Sequence, residues 1–290
     1  MDRLLIVAAL TAVIHMINTL TYSVRLSGVR TRRLATAISL FNVIFLLAST
    51  ANTIQGPLLS SIVERAINTG EAQIIGKIPG DQLINQPVYM EQLALLDHDI
   101  RFVIAAATVG TIVGTALIPA FVHIFIRAIF LFEESGSVPR MIGMVIISPR
   151  RLFSLSRQFY LPRRNSFKSL TLRRIALPKT FLFLNIIVTG VYTTGVLSSL
   201  YAGALFPDYR STAALLSAVI NGIATVLAAT VVDPTAASIT DQAIRGERSE
   251  DDVKQMALYL SVTRFLGTIF AQAIFLPSAY FIKYVATWLA

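Results

Sequence analysis

The 290-residue chain has no cysteine, a single tryptophan and three histidines, and only 14% of its residues are charged. Without cysteine there is no disulfide, no thiolate metal site and no cysteine nucleophile. No glycine-rich loop ending in Lys and Ser/Thr, no HExxH and no GxSxG occurs. ATP hydrolysis by that loop, zinc-protease chemistry and serine-hydrolase chemistry therefore lack their residues. The densest carboxylate cluster, Glu250, Asp251 and Asp252, precedes an apolar run and reads as charge at a helix N-terminus. No cofactor, no metal and no enzymatic activity is expected.

What is abundant is apolar: 54% of the residues are hydrophobic and the mean hydropathy is +0.67. That is more apolar surface than a soluble fold of this length buries, so the expected class is an all-α polytopic membrane protein. A bilayer core about 30 Å thick takes roughly 20 helical residues. Six runs qualify: Leu4 to Ser23, Leu34 to Val63, Phe102 to Phe132, Phe181 to Phe206, Thr212 to Val232 and Ala257 to Ala290. The start resembles a signal peptide, but His15, Asn18 and the lack of a small-x-small cleavage site argue for an uncleaved first span. The second, third and sixth runs exceed a straight crossing and carry Pro57, Pro119 and Pro277, so they are expected to tilt, break or project beyond the bilayer. One transmembrane domain over residues 1–290 is predicted. Between spans, residues 64–101 predict loops with one short helix near Val88 to Leu96; Asp97 and Asp99 there are too few for a cation site.

Seventeen Lys and Arg residues fall in the segments between spans one and two, three and four, and five and six, against six in the alternate segments. The positive-inside rule puts the first set in the cytoplasm and both termini outside. Most of the net charge of +9 sits in the basic segment 133–180, where Arg150, Arg151, Arg157, Arg163 and Arg164 alternate with Phe153, Phe159, Tyr160 and Phe167. Aromatics among cations suit anionic lipid headgroups better than nucleic acid. Leu152, Leu155 and Phe159 share a helical face and predict a short interfacial helix.

Two stretches echo each other. Pro57, Ser61, Ile62, Glu64, Ala66 and Ile67, then Gly70 and Glu71, recur as Pro234, Ser238, Ile239, Asp241, Ala243 and Ile244, then Gly246 and Glu247; Gly110, Thr111, Ile112, Ala116 and Pro119 recur as Gly267, Thr268, Ile269, Ala273 and Pro277. Halves of three spans each, 1–132 and 181–290, would then be inverted relative to one another, with the substrate path at their interface near helix breaks at Pro57 and Pro234. Accidental recurrence of common membrane residues is the competing reading.

Polar residues inside the runs mark candidate binding positions. Thr11, His15, Asn18, Tyr22 and Arg25 step by three and four, so they share one helical side, which must meet other helices or a wet cavity. Asn42, Asn52 and Gln55 lie on the second span beside a hydroxyl stripe that equally suits packing. Arg127 lies near the end of the third run, within reach of the interface. Arg264 lies about 10 Å into the sixth at 1.5 Å per residue, with Thr268 and Gln272 following at four-residue spacing. Arg30 joins Arg25 at the cytoplasmic entrance. Gly110 with Gly114 forms a GxxxG pair that packs either two protomers of a homo-oligomer or two helices of one chain.

The stretch Tyr-Ser-Val-Arg-Leu-Ser-Gly-Val-Arg-Thr-Arg-Arg-Leu-Ala from Tyr22 to Ala35, preceded by His15 and Asn18, resembles the Amj family, the alternate lipid II flippases of bacteria. The similarity continues through Asn52 to Pro57, Ser148 to Arg151, Asp233-Pro234 and the segment from Arg264. The resemblance implies that lipid II, an undecaprenyl-pyrophosphate-linked disaccharide-pentapeptide, is moved from the inner to the outer leaflet of the bacterial inner membrane. It brings no set of functional residues. Two alternatives stay open from the residues themselves: an ion-coupled transporter of a small anionic solute, and a scaffold for envelope synthesis. No acidic residue lies deep in a span as an evident proton carrier.

Overall fold

A computed structural model describes residues 3–74, 78–147 and 177–289. Among these the chain is helical without a strand: α1 (Arg3–Thr31), α2 (Leu34–Ala72), α3 (Gly80–Leu83), α4 (Pro87–Ser135), α5 (Val138–Ile147), α6 (Lys179–Leu205), a 3-10 turn (Pro207–Tyr209), α7 (Arg210–Leu227), a π turn (Ala228–Val232), α8 (Asp233–Ile244) and α9 (Glu250–Leu289). Six of these rods are long and apolar enough to cross a membrane: α1, α2, α4, α6, the near-continuous rod Pro207–Ile244, and α9. Six crossings put both termini at one end, here the terminal face. The opposite end, which holds Thr31, Ser135, Lys179 and Glu250, is the basic face.

The long runs do not break where proline predicts. Pro57, Pro119 and Pro277 lie inside uninterrupted helices. Proline removes one donor and crowds the preceding turn, but a packed membrane helix tolerates it when other donors reach the backbone nearby. Around Pro277, Arg101 donates to the Gln272 carbonyl at 3.1 Å and Ser198 to the Phe275 carbonyl at 3.0 Å. The departure from α geometry is confined to the fifth span, where the π turn directly precedes Asp233-Pro234. Val88 to Leu96 is not a separate short helix. It is the first part of α4, whose 49 residues extend about 74 Å at 1.5 Å each and so outrun any bilayer core. Leu152, Leu155, Phe159 and Ser148 to Arg151 lie outside the described residues.

Four helices form the centre, with α1 packed most extensively on α4 and α9 on α6; α2 flanks α1, and α7 flanks α6. Glycines set both central seams. Gly110 and Gly114 of α4 lie against the backbone of α1 at Ala12 and Met16, and Gly267 of α9 lies against the Ile186 carbonyl and Thr189 of α6. The GxxxG pair therefore joins two helices of one chain, leaving no glycine face there for a second protomer. The flanking hairpins use the same device: Gly28 sits against Leu34 and Gly203 against Arg210, so each turn folds tightly back. Apolar clusters fill the two ends, with Tyr89, Leu96, Ile100, Tyr201 and Phe275 toward the terminal face and Tyr22, Leu26, Val232 and Met256 toward the basic face.

A side chain at position 110 has no room. Gly110→Leu is expected to force α1 and α4 apart at an overpacking cost of about 1–3 kcal/mol and to lower the melting temperature of the detergent-purified protein. Gly222→Leu, where an added Cβ meets nothing within 4 Å, is expected not to lower it.

Candidate functional site

Midway along the spans, α1, α2 and α6 part around a cavity of about 140 Å³. Helical spacing explains how α1 enters it, because Thr11 and His15 are one turn apart and point the same way. From α2 come Asn52, Gln55 and Gly56, and from α6 come Tyr192 and Thr193. Gly56 keeps its wall set back, since a Cβ there would meet nothing within 4 Å. Gln55 donates through Nε2 to Thr11 Oγ1, and Thr11 in turn donates to the Val7 carbonyl at 2.8 Å. His15 is buried, yet its Nδ1 has no hydrogen-bond partner. That nitrogen is closed off from the cavity space as well, so it stays a buried polar atom without a partner.

The cavity opens on one side, where Asn52 and Tyr192 are exposed. Tyr192 donates its hydroxyl to Thr225 of α7 at 2.8 Å. The opening is thus bordered by α2 and α7, which are not packed extensively against one another.

Of the residues singled out in the sequence, His15, Asn52 and Gln55 line the cavity. Arg264 does not line it; it is half-buried, close enough to His15 to act on it electrostatically, with its Nε unpartnered. It lies fourteen residues into α9, about 21 Å from the helix start, because α9 begins seven residues before the apolar run. Asn18 is half-buried a turn further along α1, and Tyr22 packs in the apolar cluster with Val232 and Met256. Asn42 is exposed on α2, thirteen residues and so about 20 Å from Gln55. Arg127 is half-buried on α4 and does not line the cavity. Gln272 belongs to a different network: its Nε2 donates to the Arg101 carbonyl at 3.0 Å, while Arg101 donates to Asp97 at 2.8 Å and lies 5.6 Å above the Phe275 ring. Among the described residues no group of His, Asp and Glu side chains is arranged to hold a metal ion.

Sequence reading missed Tyr192 and Thr193. The signal was a hydroxyl stripe, Thr189, Thr193 and Thr194 followed by Ser198, which reads as ordinary packing glue until the partner helix is known.

Ile14, Leu59, Val196 and Leu197 complete the lining, so the wall is mostly apolar with a few polar groups set into it. Fold and cavity together define a multi-pass helical membrane protein with a small cavity of mixed lining at mid-depth, open to one side. The family model for Amj, described as alternate to MurJ, matches residues 10–286. A curated relative, the lipid II flippase Amj of Bacillus subtilis (strain 168), is 34% identical over 286 residues, covering 99% of this chain and 97% of the relative. The chain belongs to the Amj family. No solved structure matches it.

Arg25 and Arg30, expected at a cytoplasmic entrance, are both matched by carboxylates on the basic face. The Arg25 guanidinium lies 3.9 Å from Asp233, and Arg30 donates through Nε to Glu250 Oε1 at 2.9 Å, with Lys254 Nζ 3.0 Å from the same oxygen. Burial by itself would push the Glu250 carboxyl up, but the hydrogen bonds from Arg30 and Lys254 outweigh it and hold the group below its ordinary value. A carboxylate depressed in the folded state adds stability above its unfolded pKa and loses it as pH falls through the folded value. The melting temperature is therefore expected to decline below about pH 4.5, the usual carboxylate range. Glu250→Gln should flatten that decline, at a cost of about 1 kcal/mol or less near neutrality because the pair is partly exposed and screened.

Proposed function

We propose that this protein is a transporter that carries lipid II from the inner to the outer leaflet of the bacterial cytoplasmic membrane, with its basic face in the cytoplasm and both termini outside. The observation that carries the reading is a laterally open cavity at mid-depth that sets His15, Asn52 and Gln55 into a mostly apolar wall, in a chain whose curated relative is named a lipid II flippase. Moving such a lipid requires a polar route for sugar, peptide and pyrophosphate while the polyprenyl tail stays among acyl chains. A chamber closed by protein on three sides and open between two flanking helices meets that requirement. Thr11, His15, Asn52 and Gln55 offer neutral donors and acceptors along the route, and Arg264 offers a cation for the pyrophosphate. The basic segment 133–180 would hold the cytoplasmic face against anionic lipid.

The similar packing in the two halves supports reading spans one to three and four to six as inverted repeats. In each, the first span turns back tightly over a glycine into a flanking span, and a glycine of the third lies on the backbone of the first. Size bears on the mechanism. A cavity of about 140 Å³ is smaller than the roughly 300–1,000 Å³ of drug-sized ligand pockets, so a disaccharide-pentapeptide passes only if the flanking helices move apart.

The volume also suits a small anion, and a leaflet-resolved assay of lipid II accessibility in cells depleted of other flippases separates the two readings. Arg264→Ala and Gly56→Leu, the latter placing a side chain in the cavity from a position where an added Cβ meets nothing within 4 Å, are each expected to reduce outer-leaflet lipid II at least tenfold at unchanged protein level. Full activity in both would remove the cavity from the route.

A further inference from the structure

The two flanking spans are held differently toward the two ends of the bundle. Toward the terminal face, Arg210 at the start of α7 lies 3.5 Å from Glu64 of α2. Beside it the Gly80 N–H donates to Asp208 at 3.1 Å, and the Tyr89 hydroxyl donates to the Ala204 carbonyl at 2.7 Å. These contacts tie α2, α3 and α4 to the hairpin of α6 and α7. Toward the basic face the two flanking spans are not joined in that way. Arg33, at the start of α2, pairs with Glu133 of α4, and Asp241 of α8 is exposed and, among the described residues, takes part in no ion pair.

The sequence relates these two situations. Pro57 and Pro234 are 177 residues apart, and the same separation takes Glu64 to Asp241 and Arg33 to Arg210. The bridge at the terminal face, an acid late in one flanking span against an arginine that starts the other, has its counterpart in Asp241 and Arg33 at the basic face with the halves exchanged. Inverted halves trade conformations when access alternates, so a contact that closes one face in one state predicts the equivalent contact at the other face in the second state.

We propose that Glu64 and Arg210 form the outer gate, closed in this structure, and that Arg33 and Asp241 form the inner gate of the alternate state, Arg33 leaving Glu133 for Asp241 as Arg210 leaves Glu64. The assignment rests on the transport reading above and on the halves being inverted repeats. Both members of the outer pair are nearly half exposed, with side-chain exposures of 45% and 44%. Such a pair is weak, as a gate must be if its two states are to remain close in free energy.

A chain without cysteine makes the test direct. Glu64→Cys with Arg210→Cys, and separately Arg33→Cys with Asp241→Cys, are introduced and treated in membranes with a short bifunctional thiosulfonate linker. The outer pair is expected to cross-link readily. The inner pair is expected to cross-link weakly, and several-fold more when Glu64→Arg breaks the outer gate. In a parallel chain, Asn52→Cys should gain labelling by an impermeant maleimide applied from outside when Glu64→Arg is added. Adding Arg210→Glu to Glu64→Arg should restore the low labelling, a rescue that a merely misfolded variant would not show. An inner pair that stays unlinked with the outer gate broken, or a charge exchange that fails to restore low labelling, overturns the proposal. None of these readouts requires substrate. Cross-linking that shifts as expected while lipid II stays in the inner leaflet would keep the gates and remove the lipid assignment.

Discussion

Hydrocarbon offers no partner to a polar group, and the centre of this bundle is arranged around that constraint. An arginine in mid-membrane costs roughly 2.5–3.5 kcal/mol by insertion scales even with relief from water and lipid headgroups. His15, Gln55, Thr11 and Arg264 could not be kept at this depth facing acyl chains. They converge instead where α1, α2, α6 and α9 meet: Thr11, His15 and Gln55 line a cavity there, and Arg264 lies within electrostatic reach of His15. Gln55 and Thr11 satisfy each other, whereas His15 Nδ1 and Arg264 Nε are buried without a partner.

Close packing of the four central helices gives this chamber a firm backing. Gly110 and Gly114 let α4 reach the backbone of α1, and Gly267 does the same between α9 and α6. In lipid no hydrophobic force draws helices together, so contact at backbone distance and interhelical hydrogen bonds supply the cohesion. Asn185 adds such bonds to the Leu260 carbonyl and to Thr263 across the α6 and α9 seam. The flanking spans are less committed. The rod Pro207–Ile244 is the least buried of the six and contains the π turn, and α2 leaves Ser49, Asn52 and Thr53 exposed on one side. The centre is thus closely packed and the two flanks loosely held.

The basic face shows how tertiary contacts change the meaning of a charge. Arg25 and Arg30 read in sequence as unpaired cations, yet Asp233 and Glu250 lie beside them. The basic face is therefore a set of matched charges rather than a bare positive patch.

Six spans, the helical class and the sidedness of the Lys and Arg residues could be read from the chain alone, because they follow from the length of apolar runs and the cost of charge in hydrocarbon. The burial of Thr11, His15 and Tyr22 was legible for the same reason, through spacing of three and four along one helix. Which of those residues share a chamber was decided by the tertiary structure. Gln272 follows Arg264 at helical spacing, yet pairs with Arg101, a residue that composition assigns to a loop and that α4 carries within a helix. Tyr192 and Thr193 became lining residues only because α6 lies opposite α1 and α2. Proline marked Pro57 as a break, but α2 runs on through it, and among the described spans the π turn lies just before Pro234. Local sequence determines what each helix must hide from lipid; the packing of six helices against one another determines where it is hidden, and so which hidden groups face a cavity.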